Sequence, residues 1–179
     1  MRVSLKNKKV LICGLNGTGK TYLSKYLARH HKAFVITMNP HEWETEDVIV
    51  GKCESVNDFE YWLKSWKVLK GTIDMIILDD FDMFFRTHLD TLKEFSDLVY
   101  RNRHYGVSVI AITRRPQNIP TKYYEIFEVL AIFTLESPTA IEKFNQIYNG
   151  LGELVKQLPY KSYKFVWKEI GQEPKIMKV

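Results

Sequence analysis

Short, nearly unbroken apolar runs recur along the chain, separated by longer stretches whose apolar residues return every three or four positions. The runs cover residues 9–13, 33–37, 73–78, 107–113 and 129–135 and are rich in β-branched side chains, as strands are. The stretches at 20–30, 56–70 and 89–105, with another at 139–148, carry the helical period. Short strands alternating with helices predict an α/β fold, a mostly parallel sheet with helices on both faces. IDMIIL and VSVIAIT show no clean polar alternation, which places them at the centre of the sheet. A run at 48–50 predicts an edge strand or an extended connection. The tail from 160 onward is polar with one strand-like piece, 163–167. No repeat, low-complexity segment or linker interrupts the series. At 179 residues and 45% hydrophobic content, one core is expected, spanning about 9–135, followed by C-terminal helices and a tail over 136–179.

The first predicted strand runs directly into G-L-N-G-T-G-K-T, Gly14 to Thr21, a full match to the phosphate-loop pattern G-x-x-x-x-G-K-[ST]. The first predicted helix begins inside it. Glycines let the backbone wrap with its N–H groups inward, where they and the positive helix end hold phosphate oxygens. Gly14, Asn16, Gly17, Thr18, Gly19, Lys20, Thr21 and Tyr22 are the candidate nucleotide-binding residues. Lys20 would reach the β- and γ-phosphates, and the Thr21 hydroxyl would bind magnesium. A glycine-rich turn with a chance lysine is the bland alternative, and the strand–loop–helix setting weighs against it. The guanine-selective N-K-x-D motif is absent.

The central run IDMIILDDFD ends in adjacent acids. Ligands of parallel α/β sheets bind beyond the carboxyl ends of the strands, so Asp79 and Asp80 are expected in the crevice of the phosphate loop. Asp79 is the expected magnesium acid, acting through the ion's water shell. Asp80 is placed to orient or deprotonate an attacking water. Asp82 reads as a helix cap or a surface charge. The stretch between Lys20 and Asp79 leaves room for a strand between theirs in the sheet. That arrangement and the second acid favour a motor-type, RecA-like ASCE P-loop NTPase, a three-layer sandwich, over a small-molecule kinase.

Composition narrows the setting. Cys13 and Cys53 fit neither a disulfide framework nor a zinc site, which suggests a reducing compartment. His30, His31, His41, His88 and His104 show no metal spacing and read as surface. No apolar run approaches the roughly 20 residues of a membrane helix, and the first residues lack a signal-peptide core. A soluble, intracellular protein without stable membrane insertion is expected. The net charge of +5 favours a polyanionic partner but also suits any mildly basic protein. Trp43, Trp62, Trp66, Tyr123, Tyr124 and Phe127 read as core or subunit contacts, and Lys161, Lys164 and Lys168 as DNA-phosphate contacts or an ordinary solvated face.

GLNGTGKT, IILDD and RNRHYGVSVIAITRRPQNIP, Arg101 to Pro120, together resemble the FtsK/HerA superfamily of ring-forming, DNA-translocating ATPases. In that family an arginine and a glycine precede the fourth core strand and a T-Q-R-P-like turn follows it. The small size is most similar to viral genome-packaging ATPases, especially archaeal ones. The resemblance implies ATP and magnesium at a subunit boundary, a homo-oligomeric ring around double-stranded DNA, and a capsid or portal partner. It also implies a place in the host cytoplasm or on the virion. Arg103 holds the R-x-x-G position and is the candidate arginine supplied to a neighbouring subunit; for it and for Arg101 the alternative is simple complementarity to a helix dipole. Thr113, the candidate sensor, matches the family turn with Arg115 and Pro116, whereas Arg114 stands where the family has glutamine. Arg114 and Arg115 are candidates for contact with the γ-phosphate or a neighbouring subunit.

Three other functions remain open. A nucleoside or nucleotide kinase suits the length but needs an acceptor pocket and an arginine-bearing lid. A nucleotide-gated assembly factor, like the Zot-type secretion-linked ATPases of filamentous phages, would not need the retained Lys20, Thr21, Asp79 and Asp80. A helicase loader of the AAA+ type would carry a helical lid after the fifth strand, and the residues beyond Leu135 are few for one.

Overall fold

The structure is a computed structural model that describes residues 5–44, 48–82 and 93–179. Its strands are β1 (Lys9–Cys13), β2 (Ala33–Thr37), β3 (Val48–Lys52), β4 (Met75–Leu78), β5 (Ser108–Thr113), β6 (Val129–Ile132), β7 (Lys164–Glu169) and β8 (Lys175–Lys178). Its helices are α1 (Lys20–Ala28), α2 (Val56–Ser65), α3 (Lys93–Tyr105), α4 (Thr121–Tyr124), α5 (Pro138–Ile147) and α6 (Leu151–Lys156).

All eight strands form one sheet in the order β3-β2-β4-β5-β1-β6-β7-β8. The first six run parallel, because a helix or an extended crossover returns the chain to the same end before each new strand. β5 lies between β1 and β4, so one strand does separate the loop strand from the aspartate strand. It comes from later in the chain than expected: β2, the strand between Lys20 and Asp79 in sequence, pairs with the far side of β4 instead. Every residue of β2, β4, β5 and β6 is buried.

The missing alternation has a direct cause, since successive side chains enter two different cores. Leu11, Phe34, Ile36, Ile76, Leu78, Val109 and Ala111 point to the face covered by α2, α3, α5 and α6. Val10, Ile12, Val35, Ile77, Ile110 and Ile112 point to the face covered by α1 and Trp43. The result is the three-layer α/β sandwich expected from the sequence.

Two boundaries differ from the sequence reading. The helical pattern at 56–70 is α2 followed by a 3₁₀ turn over Trp66–Leu69, which seats Trp66 in the core. α2 starts at a capping box in which Ser55 and Asp58 satisfy each other's backbone N–H groups. Of the helix expected at 89–105, the part before Lys93 lies outside the described residues.

The run at 48–50 is an edge strand, β3, paired parallel to β2. The tail, by contrast, forms two strands rather than one. β7 joins β6 antiparallel and β8 pairs back on β7, so the hairpin extends the sheet. β8, K-I-M-K, is exposed along most of its length and so carried no apolar signal. Phe165 and Trp167 of β7 enter the α1-side core. Among the described residues no helix is long and apolar enough to cross a membrane.

If the tail is integral to the core, Phe165→Ala should cost about 3–5 kcal/mol, as truncation of a buried aromatic does. Urea unfolding of the whole chain would show this as a lower midpoint at unchanged slope, whereas a loss under about 1 kcal/mol would mark the hairpin as an appendage.

Candidate active site

The loop between β1 and α1 turns so tightly that side chains have no room. Gly14 has φ +150°, and a Cβ there would lie 2.5 Å from the Phe133 Cβ. Gly19 adopts the left-handed conformation at the N-cap of α1, which a Cβ disfavours. The Leu15 carbonyl accepts from the Thr18 hydroxyl at 2.8 Å and from the Lys20 ammonium at 2.7 Å, which tucks the lysine into its own loop. Burial, with the Arg114 charge second, pulls the Lys20 pKa below its ordinary value.

Asn16, Gly17, Lys20, Thr21, Asp79, Asp80 and Arg114 line a cavity of about 250 Å³ at the carboxyl ends of β1, β4 and β5. The two acids are thus brought to the phosphate loop, where the sequence reading placed them.

Asp79 is only 6% exposed, and both of its oxygens are engaged. Oδ2 accepts from the Thr37 hydroxyl and from the Trp43 indole N–H, each at 3.0 Å, and Oδ1 accepts from the Asp80 N–H at 3.1 Å. Asp80 follows with φ +50° and forms an ion pair with Arg114 Nε at 3.1 Å. Burial and then the Asp79 charge raise the Asp80 pKa above the usual carboxylate value, against the pull of Arg114 and Lys20.

Asp82 corrects the sequence reading. It is not a surface charge, since it is buried and accepts from the Thr113 hydroxyl and from the Arg114 N–H at 3.3 Å, and a cap role would fall on residues outside the described ones. Thr113, expected as a sensor, is fully buried, and its oxygen also accepts from the Arg115 N–H at 3.0 Å. Its hydroxyl faces inward and anchors the turn that presents Arg114. Arg115 lies with Asn16, Gln117, Glu136 and Tyr160 around a neighbouring cavity of about 630 Å³.

Arg103 is not brought to the site of its own chain. It pairs with Glu128, which also accepts from the Lys9 N–H at the start of β1 and therefore marks the amino-terminal end of the sheet. The Arg103 side chain is 69% exposed there. Arg101, one turn after Asp97, pairs with it on the same helix. Tyr22 points away from the cavity, exposed on α1 beside Tyr26, Phe165 and Val179.

Trp66, Tyr123, Tyr124 and Phe127 pack into the core as expected, with Trp62 against its edge. Trp43 packs too, but also holds Asp79. His30, His41 and His104 are exposed and His31 is half-buried, while His88 lies outside the described residues. Thr37 and Trp43 are the supports that sequence reasoning missed. Thr37, a polar residue ending a fully buried strand beside the aspartate strand, was a usable signal; Trp43 had none.

The model of the ATPase family associated with various cellular activities (AAA) matches residues 10–135. The chain belongs to this family. The match ends before α5, and the chain beyond it forms two helices and a hairpin joined to the sheet. No curated protein sequence matches the chain.

Among solved structures, the genome packaging NTPase B204 from Sulfolobus turreted icosahedral virus 2, bound to ATP-gammaS, superposes with TM-score 0.78 at 20% identity, over 96% of this chain and 97% of that one. The cytoplasmic domain of the Thermomonospora curvata type VII secretion ATPase EccC superposes with TM-score 0.67 at 13% identity, over 96% of this chain and 23% of that one. The N-terminal domain of zonular occludens toxin from Neisseria meningitidis gives TM-score 0.54 at 13% identity, over 96% and 94%. These likenesses are of fold. This AAA ATPase shares its architecture with a viral packaging NTPase over 96% of its length.

Removing the indole donor with Trp43→Phe leaves Asp79 buried with fewer hydrogen bonds. Chemical unfolding is expected to show a loss of about 1–3 kcal/mol, and no loss would mean that the bond contributes nothing to holding the acid.

Proposed function

We propose that the chain is an ATP-hydrolysing DNA translocase, the motor of a viral genome-packaging machine, working as a homo-oligomeric ring on double-stranded DNA. The observation that carries this reading is the likeness of fold, over 96% of the chain, to a genome packaging NTPase, in a chain whose Lys20, Thr21, Asp79 and Asp80 converge on one cavity.

In this mechanism ATP and water become ADP and phosphate. The loop N–H groups and Lys20 hold the β- and γ-phosphates, Lys20 exchanging the Leu15 carbonyl for phosphate oxygens. Asp80 takes the proton of the attacking water, and its raised pKa makes it a stronger base than an exposed carboxylate. Arg114, already beside Asp80, supplies positive charge where the transferring phosphoryl group spreads its own.

The donors at the site fit magnesium. A hydroxyl and a carboxylate already engaged by Thr37 and Trp43 suit an ion that keeps much of its water shell. Thr21 and Asp79 would hold it, and when bound it neutralises charge between the β- and γ-oxygens.

Arg103, remote from its own loop and exposed, is the residue assigned to reach a neighbouring subunit's nucleotide, with Arg115 as a further candidate for contact across subunits. Grip on DNA runs through backbone phosphates, so it is sequence-tolerant and weakens with salt. A capsid or portal protein would dock the ring, in the host cytoplasm or on the virion.

Steady-state hydrolysis tests these roles. Lys20→Ala should abolish activity, and Asp80→Asn should lower kcat by about a hundredfold or more while ATP still binds. Near-normal turnover in Asp80→Asn would overturn the base assignment. Arg103→Ala alone should be inactive, and mixing it with Asp80→Asn subunits should restore part of the rate, since each intact Asp80 then meets an intact Arg103. Absence of rescue would make Arg103 structural.

A further inference from the structure

The tail turn at residues 160–163 lies on the phosphate loop, a position that nothing in its polar sequence announced. The Tyr160 hydroxyl donates to the Asn16 carbonyl at 3.3 Å. The Lys161 Cε lies 3.8 Å from where a Cβ on Gly17 would stand, and its ammonium lies 5.4 Å from the centre of the Tyr160 ring. The Tyr163 ring comes within 3.2 Å of the corresponding point on Gly19, with Val179 at 3.5 Å. The Val179 N–H donates to the Tyr163 carbonyl at 3.1 Å, tying the end of the hairpin to the same spot.

Backbone strain marks the turn as well. Four non-glycine residues have positive φ among the described residues, and two of them are Lys161 (φ 56°) and Tyr163 (φ 58°); a third is Asp80. Non-glycine residues held in this region are uncommon and gather at ligand clamps. Yet Tyr163 is 50% exposed, so burial of its ring does not explain the strain.

The sheet order shows which part of a nucleotide meets this turn. β4 and β5, with Asp79, Asp80 and Arg114, stand on one side of β1; β6 and β7 stand on the other. A triphosphate in the loop directs its γ end to the acids. Its ribose and base would then leave on the β6–β7 side, where Tyr163 immediately precedes β7. A half-exposed aromatic ring there offers a base a π-face without selecting its edge.

We propose that Tyr163 is the nucleobase platform of this ATPase, held in place by the Tyr160–Asn16 bond. The inference rests on the nucleotide-binding reading above and adds the element that grips the base.

The test compares two ligands, ATP-gammaS and inorganic tripolyphosphate, each titrated with magnesium by calorimetry against the unaltered chain, Tyr163→Ala and Tyr163→Phe. Loss of a stacked ring should weaken ATP-gammaS about tenfold or more in Tyr163→Ala, leave tripolyphosphate affinity within about twofold, and leave Tyr163→Phe like the unaltered chain. Equal weakening of both ligands would show that the ring only buttresses Gly19, and no weakening of ATP-gammaS would show that the base lies elsewhere; either overturns the proposal. If the unaltered chain binds neither ligand, the nucleotide reading itself fails and this one falls with it.

Discussion

Two adjacent carboxylates buried at the end of one strand are the constraint around which the site is built. Placed side by side and shielded from water, the Asp79 and Asp80 carboxylates repel each other, and a buried pair of like charges calls for compensating partners. The compensation is divided. Asp79 receives neutral donors, the Thr37 hydroxyl and the Trp43 indole. Asp80 receives charge, directly from Arg114 and more weakly from Lys20. Arg114 is in turn positioned by a third acid, because Asp82 accepts both its backbone N–H and the Thr113 hydroxyl below it. The acids of the site are therefore largely compensated before any nucleotide binds, and in the proposed mechanism a γ-phosphate competes with Asp80 for Arg114.

This arrangement depends on the sheet. β5 between β1 and β4 separates the loop lysine from the acids by one strand, and parallel pairing brings the carboxyl ends of β1 to β6 to the same edge. Burial on both faces fixes the register of those strands, since a one-residue slip would exchange the two cores. The positions of Asp79 and Thr113 at their strand ends follow from packing many residues away.

Much of this was legible in the sequence because the signals were local. The loop is defined by consecutive residues, and the five strands β1, β2, β4, β5 and β6 by short apolar, β-branched runs. Asp79 and Asp80 could be placed from strand direction alone. What could not be read was contact between distant segments. Trp43 reaches Asp79 from a turn after β2, and Asp82 faces Thr113 across the sheet rather than solvent. β8 escaped because an edge strand exposed on both sides needs no apolar pattern. The tail's closure over the loop escaped for a related reason: Tyr160 and Tyr163 are half-exposed, and their spacing resembles nothing periodic. Arg114 was visible as a departure from the glutamine of the resembled family, but its ion pair with Asp80 was not.

The central claim is that hydrolysis at this site is coupled to DNA. The most direct test is the steady-state ATP hydrolysis rate of the purified chain with and without long double-stranded DNA, across a range of salt. The account predicts stimulation by DNA of unrelated sequences that fades as salt rises. A rate indifferent to DNA, rising only when a nucleoside or nucleotide acceptor is added, would contradict it and make the protein a phosphotransferase.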